Sequence, residues 1–219
     1  MKIIDLTERS DEPTRDLLRP VALAIKNGDL AILPTMTYYG LCADALNPDA
    51  VGRVFKAKRR DPSKPLIVLV DSFEMLRPLV EDVPPMAREL EWRLGAKGLT
   101  YVLKASDRLP SELTAGGDTI AVRLERNEVI QEILTLVGQP LTAPSANREG
   151  EAPPRTVDEA IRPLRDWIEI AVRWYPSSAT APTTLVDLTC DVPTVLREGT
   201  VSAADVAKVV GAASRAGAA

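Results

Sequence analysis

Two short polar motifs, far apart in the chain, carry side chains of the kinds that bind phosphate. Lys58 and Arg60 stand in a dense cationic turn, and Ser145 and Asn147 stand two residues apart in a proline-bounded loop. Lysine supplies a point charge, arginine supplies a planar fork of donors, and hydroxyl and amide groups donate hydrogen bonds to oxygen. We therefore predict that these four side chains converge on one nucleotide site, in which Lys58 and Arg60 form the catalytic pair.

The elements around the first motif must bring it to the edge of a sheet. A short apolar run at 30–34 predicts a strand, and the Asn-Pro-Asp tripeptide at 47–49 is typical of a helix start. Apolar residues then recur at helical spacing up to Lys58, and a five-residue apolar run at 66–70 predicts a buried strand. Since a bare charge cannot stay in an apolar core, we expect the Lys58 ammonium to emerge at the rim of the core.

Along the rest of the chain, strand and helix patterns alternate at first, and predicted strands follow one another later. This order predicts an α+β (mixed α/β) fold, in which a single domain is built on a twisted mixed sheet with helices packed around it. Ser72 can cap one helix, and Ser202 with Asp205 resembles a capping box. The polar segment 175–182 is either a mobile lid or a simple connection. Predicted strands span 3–6, 30–33, 66–70, 99–103, 120–124, 141–143, 168–172, 184–188 and 194–196; predicted helices include 14–26, 85–94, 128–137 and a segment from Val157.

The composition is that of a globular domain. The 219 residues are 45% hydrophobic and 26% charged, so the chain can bury a core within one domain. We predict that this domain spans 1–210 and that the Ala- and Gly-rich stretch 211–219 frays. The formal charge of −4 argues against general nucleic-acid binding. Any RNA contact therefore needs a local basic patch, or else these cations are simply a solvated helix end: Lys56, Lys58, Arg59, Arg60 and Lys64.

The absence of histidine restricts the chemistry. It excludes Ser-His-Asp catalysis, Cys-His dyads and imidazole metal sites, and Cys42 would lack a histidine to activate it as a nucleophile. Cys42 and Cys190 form no metal-binding pattern, and no Walker or Rossmann glycine motif occurs. We predict no protein-bound metal and no organic cofactor. With no leader pattern and no long apolar run, we expect a cytoplasmic protein without membrane contact.

Several motifs follow one another along nearly the whole chain: PTMTYYGL from Pro34, Lys-x-Arg at 58–60, TAGGDTIAVR ending at Arg123, Ser-x-Asn at 145–147, TTLVDLT from Thr183 and LREGTVS around Arg197. Their types and order resemble the signature of the YrdC-like family, the threonylcarbamoyl-AMP synthases. The resemblance implies a YrdC/RibB-like fold with a concave cationic cleft. It also implies synthesis of threonylcarbamoyl-AMP and pyrophosphate from L-threonine, bicarbonate and ATP.

In that reaction a carbamate made from threonine and bicarbonate attacks the α-phosphorus, and pyrophosphate leaves. The resemblance implies that Mg²⁺ arrives with ATP. The product serves threonylcarbamoyladenosine modification of tRNA, so the implied partners are the tRNA threonylcarbamoyl-transfer machinery and, through the basic patch, tRNA or double-stranded RNA. The family includes longer members with an extra carboxy-terminal domain, which we expect this chain not to carry.

The resemblance also assigns residues to the two substrates. The implied nucleotide-binding set is Lys58, Arg60, Ser145, Asn147, Arg123 and Arg197. The implied threonine-binding set is Thr35, Tyr39, Arg123 and Thr183. Each set has structural alternatives: a surface ion pair for Arg123, a turn hydroxyl for Thr35, a core aromatic for Tyr39 and ordinary strand composition for Thr183.

The chain differs from the signature at three places. Met36 stands where an acid is usual, Leu69 stands where a histidine is frequent, and Ala-Lys-Gly at 96–98 replaces Pro-Gly-Pro. These differences concern the amino-acid substrate more than the nucleotide. Two alternatives therefore stay open. One is an RNA-binding YrdC-like paralogue with little or no synthase activity, and the other is a related carbamoyl-adenylate-forming enzyme that uses another amine or carbamoyl phosphate.

Overall fold

The computed structural model describes residues 1–7 and 14–216, with side chains up to residue 213. In this part of the chain the strands are Lys2–Asp5 (β1), Leu30–Pro34 (β2), Tyr39–Cys42 (β3), Ile67–Val70 (β4), Leu99–Lys104 (β5), Thr119–Leu124 (β6), Leu141–Thr142 (β7), Ile168–Arg173 (β8), Thr184–Asp187 (β9) and Thr194–Arg197 (β10). The α-helices are Thr14–Lys26 (α1), Pro48–Lys58 (α2), Phe73–Leu76 (α3), Pro85–Leu94 (α4), Ser111–Thr114 (α5), Glu128–Val137 (α6), Val157–Leu164 (α7) and Ala203–Ala216 (α8).

The strands form two mixed sheets. The four-stranded sheet has the order β1-β8-β2-β3, with β8 parallel to both β1 and β2 and with β3 antiparallel to β2. The six-stranded sheet has the order β10-β9-β5-β6-β4-β7, in which the parallel pairs β9-β5 and β6-β4 alternate with antiparallel pairs. The predicted mixed fold is therefore confirmed. The division of the strands between two sheets was not predicted.

The two sheets meet where β3 lies beside β7 and the segment that follows it. Leu41 N donates to Pro144 O at 2.9 Å, and Gly40 pairs with Ser145 in a single bridge. We call this junction the seam. This pairing holds the loop that carries the Ser-x-Asn motif directly against β3.

Alternation along the strands divides the core into two clusters. Leu30 and Ile32 face the cluster that includes α2, α4, α7 and α8, whereas Leu33 faces the cluster of α1 and α6. In β4, Val68 faces the first cluster and the fully buried Leu69 faces the second. Successive side chains of a strand point in opposite directions, so each sheet contributes one face to the first cluster and the other face to the second. Leu69, where the signature often has histidine, is a core residue.

The predicted helix bounds agree best with the structure where capping residues mark both ends of the helix. The helix α6 has its predicted bounds because Asn127 Oδ1 accepts from Val129 N at 3.0 Å and Gly138 ends it with a φ of 73°. The strand β3 and the one-turn helix α5 were not predicted. The helix α8 continues to Ala216, past the predicted boundary at 210, and residues 217–219 lie outside the described residues. The domain boundaries stay a prediction.

Candidate active site

A cavity of about 270 Å³ lies on the seam and is lined from both sheets. We call it the seam cavity. Gly40 lines it from β3, Arg123 lines it from β6, and Arg197 lines it from β10. It brings together six of the residues predicted for the two substrates, which are Thr35, Arg123, Ser145, Asn147, Thr183 and Arg197. Its remaining wall consists of Thr37, Tyr38, Gly40, Ile67, Ala143, Glu151, Pro153 and Pro182.

Arg123 is a buried cation with spare donors, only 4% exposed. Its Nη2 donates to Glu125 Oε2 at 2.8 Å and its Nη1 donates to Thr37 Oγ1 at 3.3 Å, whereas the buried Nε has no partner. A buried donor left unpaired costs about 1–3 kcal/mol, so such groups in folded proteins usually signal a missing partner. Arg123 lines the seam cavity, so its guanidinium group can meet an anion there, whereas Nε itself is enclosed by protein. The surface ion pair considered for Arg123 is in fact a buried one.

Lys58 holds the Ser-x-Asn loop in place. The residue is 2% exposed, and Nζ donates to Ser145 O at 2.5 Å and to Asn147 O at 2.6 Å. Within the loop, Ser145 Oγ donates to Asn147 Oδ1 at 2.5 Å. The expectation that the ammonium emerges at the rim was wrong, because two carbonyl oxygens replace water around it. Lys58 contacts both residues of the motif, although it does not line the seam cavity.

The buried position changes the titration of Lys58. Desolvation, with a smaller contribution from Arg60, lowers the pKa of Lys58 from 10.5 to about 8, while Glu149 and Glu151 act in the opposite direction. The folded protein therefore holds this proton more weakly than the unfolded chain does.

We expect this proton to appear in the pH dependence of stability. Since the folded pKa lies below the unfolded one, the unfolded chain binds more protons between about pH 8 and 10.5, and the free energy of unfolding rises with pH in that window. The contribution of this one group is roughly 3 kcal/mol across the window. Urea unfolding between pH 7 and 10.5 gives the free energy of unfolding of the wild type and of Lys58→Met. The difference between the two values at each pH reports the contribution of Lys58. Parallel curves for the two proteins would count against a buried ammonium.

Two further predicted residues support the site from outside the seam cavity. The Arg60 guanidinium donates to Lys64 O at 3.0 Å and to Pro65 O at 2.9 Å, and burial lowers its pKa. Tyr39 is 1% exposed, and its hydroxyl donates to Trp174 O at 2.8 Å and accepts from Trp174 N at 3.0 Å. Burial raises the pKa of Tyr39. The substrate roles given to Arg60 and Tyr39 stay predictions.

The polar groups of Thr35, Thr183 and Arg197 already have partners within the wall. Thr35 Oγ1 donates to Tyr38 O at 2.7 Å, as the turn interpretation expected. Thr183 and Thr100 share a hydrogen bond between their hydroxyls at 2.7 Å. Arg197 Nη2 donates to Thr183 O at 3.0 Å, and burial lowers the pKa of Arg197. These bonds fix the wall and leave part of each side chain facing the cavity.

Glu125 is the buried residue that the sequence interpretation missed. It is fully buried, and its carboxylate accepts from Arg123 and from the backbone of Met36. A signal was present, because an acid two positions after an arginine on an otherwise apolar strand faces the same side as that arginine. Thr37, which contacts Arg123, was quoted as part of the motif but was not assigned a role.

A smaller cavity of about 190 Å³ adjoins the seam cavity at Thr35. It is lined by Met36 and Tyr39, and by residues 174–178. The segment 175–182 borders both cavities. Ser177 Oγ donates to the carbonyl oxygen of Thr37, which lines the seam cavity, and Ser177 N donates to Arg155 O at 2.8 Å. These bonds are typical of a tied connection, and a lid function stays a prediction.

The predicted basic patch loses its central member, because Lys58 is buried. Lys56, Arg59 and Lys64 are exposed, and Lys64 Nζ pairs with Glu149 Oε1 at 2.6 Å. The partial neutralisation of the patch leaves a weaker electrostatic surface for a polyanion. The RNA contact stays a prediction.

Other reactive groups lie away from the seam cavity. Cys42 is fully buried, and burial raises the pKa of its thiol, which disfavours the nucleophilic thiolate. Within residues 1–7 and 14–216 no group of three or more Cys, Asp or Glu residues is arranged to hold a metal ion. The described helices are each too short or too polar to cross a membrane.

Three comparisons place these features among known proteins. The family model Sua5_yciO_yrdC, described as telomere recombination, matches residues 23–199. A threonylcarbamoyl-AMP synthase of Pyrococcus abyssi is 35% identical over 209 residues, which are 95% of this chain and 61% of that protein. A putative threonylcarbamoyl-AMP synthase of Mycobacterium tuberculosis is 37% identical over 188 residues, 86% of each chain.

The structural comparison agrees with the sequence comparison. The crystal structure of Pyrococcus abyssi Sua5 complexed with L-threonine superposes with a TM-score of 0.89 at 34% identity. The match covers 96% of this chain and 61% of the Pyrococcus chain. The chain thus spans about three-fifths of the length of this relative.

Proposed function

Because the chain belongs to the Sua5/YciO/YrdC family, we propose that it is an L-threonylcarbamoyladenylate synthase, a nucleotidyltransferase that forms threonylcarbamoyl-AMP and pyrophosphate from L-threonine, bicarbonate and ATP. The observation that carries the proposal is the seam cavity itself. It gathers a buried arginine with an unpaired donor, the Ser-x-Asn loop and a second arginine on one concave surface. A relative with the same fold has been crystallised with L-threonine.

We assign the two ends of the seam cavity to the two substrates. Thr35, Thr37 and Arg123 suit an amino acid, because the guanidinium group of an arginine that lines the cavity matches a carboxylate in shape and charge. Ser145, Asn147 and Arg197 suit the phosphates of ATP, since they offer hydroxyl, amide and guanidinium donors. Thr183 also lines the cavity; its carbonyl oxygen accepts from Arg197, and its hydroxyl is fixed by Thr100.

The chemistry needs positioning more than covalent catalysis. In the proposed reaction the threonine nitrogen forms a bond to the carbon of bicarbonate, with loss of water, and a carbamate oxygen then attacks the α-phosphorus. The bond between the α-phosphorus and the bridging oxygen breaks, and pyrophosphate leaves with the electron pair. Arginine donors and a rigid loop of hydrogen-bond donors can stabilise charge on the phosphoryl oxygens without a histidine base. Mg²⁺ would come with ATP as part of that substrate.

Arg60 and Lys58 act on this chemistry through the loops that they brace. Lys58 orders the backbone of the Ser-x-Asn motif, and Arg60 orders the turn at 64–65. Direct phosphate contact by either residue would require its side chain to leave these carbonyl groups when ATP binds. We retain them as members of the site in this bracing role.

We further propose that the product feeds threonylcarbamoyladenosine modification of tRNA by a separate transfer machinery. Two free cysteines, one of them exposed, fit a reducing compartment, so we place the reaction in the cytoplasm. Contact with tRNA or double-stranded RNA through Lys56 and Arg59 belongs to the same proposal. Filter binding at increasing salt concentration tests it, because phosphate contacts weaken steeply with salt.

Pyrophosphate release tests the central proposal. We expect release from ATP only when both L-threonine and bicarbonate are present, and we expect L-serine or L-valine at equal concentration to give at least about tenfold less, because a hydroxyl and a methyl group must both be matched. Release with carbamoyl phosphate or with another amine in place of threonine would instead support a related carbamoyl-adenylate enzyme. Tight RNA binding without any turnover would support a paralogue that has lost synthase activity.

A further inference from the structure

We propose that Glu125 is the positioning residue of the amino-acid site, since it fixes Arg123 and the turn at 35–37 relative to each other. This inference rests on the proposed function, because it assumes that an amino acid occupies this end of the seam cavity. Glu125 itself does not line the seam cavity, so the role acts through its neighbours.

The two carboxylate oxygens of Glu125 accept hydrogen bonds from different partners. Oε2 accepts from Arg123 Nη2 at 2.8 Å. Oε1 accepts from three backbone N–H groups, those of Met36 at 3.1 Å, Arg126 at 2.9 Å and Asn127 at 3.0 Å. Hydrogen bonds to a charged acceptor are shorter and stronger than neutral ones. One side chain thus satisfies four donors from two separate segments.

The carboxylate is held on a rigid base. Glu125 N donates to Val70 O at 3.0 Å, which continues the pairing of β6 with β4. Gln131 Nε2, on the first turns of α6, donates to Glu125 O. The side chain is fully buried, so its geometry is set by the protein and not by solvent. A positioning group must be locked in this way to hold its neighbours within a fraction of an ångström.

The contact with Met36 links the two sheets. Met36 follows β2 of the four-stranded sheet, whereas Glu125 follows β6 of the six-stranded sheet. Residue 36 carries no carboxylate in this chain, and the structure brings one to its backbone from position 125. Thr37, the next residue, accepts from Arg123 Nη1, so the turn and the arginine are joined at two points. These bonds therefore fix the position of the turn relative to the arginine.

The arrangement also selects the class of ligand. Glu125 occupies one terminal nitrogen of Arg123 and leaves the buried Nε unpaired. Arg123 lines the seam cavity, and a guanidinium matches a carboxylate in shape and charge, so this part of the cavity suits a single carboxylate, as in an α-amino acid. Without the bond from Nη2 to Glu125, the guanidinium group of Arg123 could rotate about its side-chain bonds and lose its fixed orientation.

The test compares Glu125→Gln with Glu91→Gln. A glutamine at 125 can still accept from the backbone N–H groups through its oxygen, but its amide nitrogen would face Arg123 Nη2, donor against donor. Glu91 is a matched control because it is a buried carboxylate, 5% exposed, that pairs with Arg126 and accepts from Tyr101 without lining the seam cavity. We expect Glu125→Gln to raise KM for threonine at least about tenfold, with KM for ATP changed less than about threefold. We expect Glu91→Gln to leave both KM values close to those of the wild type.

A second measurement does not depend on turnover. The Arg123 Nε–H resonance in ¹⁵N-labelled protein, assigned by its loss in Arg123→Lys, reports whether the guanidinium is fixed. We expect Glu125→Gln to broaden or shift this resonance and Glu91→Gln to preserve it. An unchanged resonance and an unchanged KM for threonine would overturn the positioning role. If the wild type shows no threonine-dependent turnover, the proposed function fails, while the resonance still decides whether Glu125 positions Arg123.

Discussion

Replacing Arg123 with lysine is expected to lower kcat/KM for threonine by at least about 100-fold, because disrupting a buried, hydrogen-bonded charge pair with a ligand typically costs about 2–5 kcal/mol. Lysine keeps a positive charge beside Glu125, so the buried carboxylate is not left alone. It removes Nε, the donor that has no partner in the protein. The substitution therefore tests the planar guanidinium group, with its several N–H donors, while the positive charge is kept.

Arg126→Lys is the matched control for this prediction. Arg126 lies three residues further along, carries the same fork and pairs with Glu91, yet its side chain is 53% exposed and does not line the seam cavity. Steady-state pyrophosphate release gives kcat and KM for both variants, and far-ultraviolet circular dichroism checks that both are folded. If Arg123→Lys stayed within about threefold of the wild type, Arg123 could not be the anion-binding group of the amino-acid site.

Lys58→Met is expected to reduce turnover by at least about 100-fold, since a displacement of about 1 Å in a positioning element can cost that much. Methionine preserves most of the apolar stem and removes the ammonium that joins Ser145 O to Asn147 O. Both residues line the seam cavity, which is shared by the proposed ATP and threonine positions. We therefore expect KM to rise for both substrates.

The two roles considered for Lys58 differ in their kinetic signature. A lysine that only contacted phosphate would affect ATP alone, and saturating ATP would recover part of the rate. A lysine that braces the loop affects threonine as well, and saturating ATP does not recover the rate. Lys26→Met is the control, because Lys26 also ends a helix but is exposed. Full activity in Lys58→Met would exclude both roles.

Much of the fold follows from local patterns in the sequence. The helix α4 has its predicted bounds because Pro85 can occupy only the first turn of a helix. The strand β3 was missed because Gly40 interrupts its apolar run and only a short turn separates it from β2. The split into two sheets depends on where strands distant in sequence pair, as in Ile168 of β8 with Leu30 of β2. Residue periodicity does not contain that information.

The sequence predicted which residues gather at the seam cavity better than it predicted their contacts, and the roles given to them stay predictions. Six predicted residues line the seam cavity, because motif types report which groups a ligand needs. The orientation of Lys58 was predicted wrongly because its partners are backbone carbonyls 87 and 89 positions away, and any residue type can supply a carbonyl. For Glu125 the spacing from Arg123 was the one available signal, and the rest of its role was hidden for a related reason. Most of its partners are backbone N–H groups, which leave no pattern in the sequence.

The position of the seam cavity between the two sheets couples ligand binding to the stability of the fold. Gly40 on one sheet and Arg123 on the other both line the cavity, so we expect a ligand that fills it to contact both sheets and to stabilise their packing. Ligand at 100 times its dissociation constant adds about 2.7 kcal/mol to the free energy of unfolding. We therefore expect a bound ligand to slow proteolysis of the protein, because the two sheets can separate only after the ligand has left.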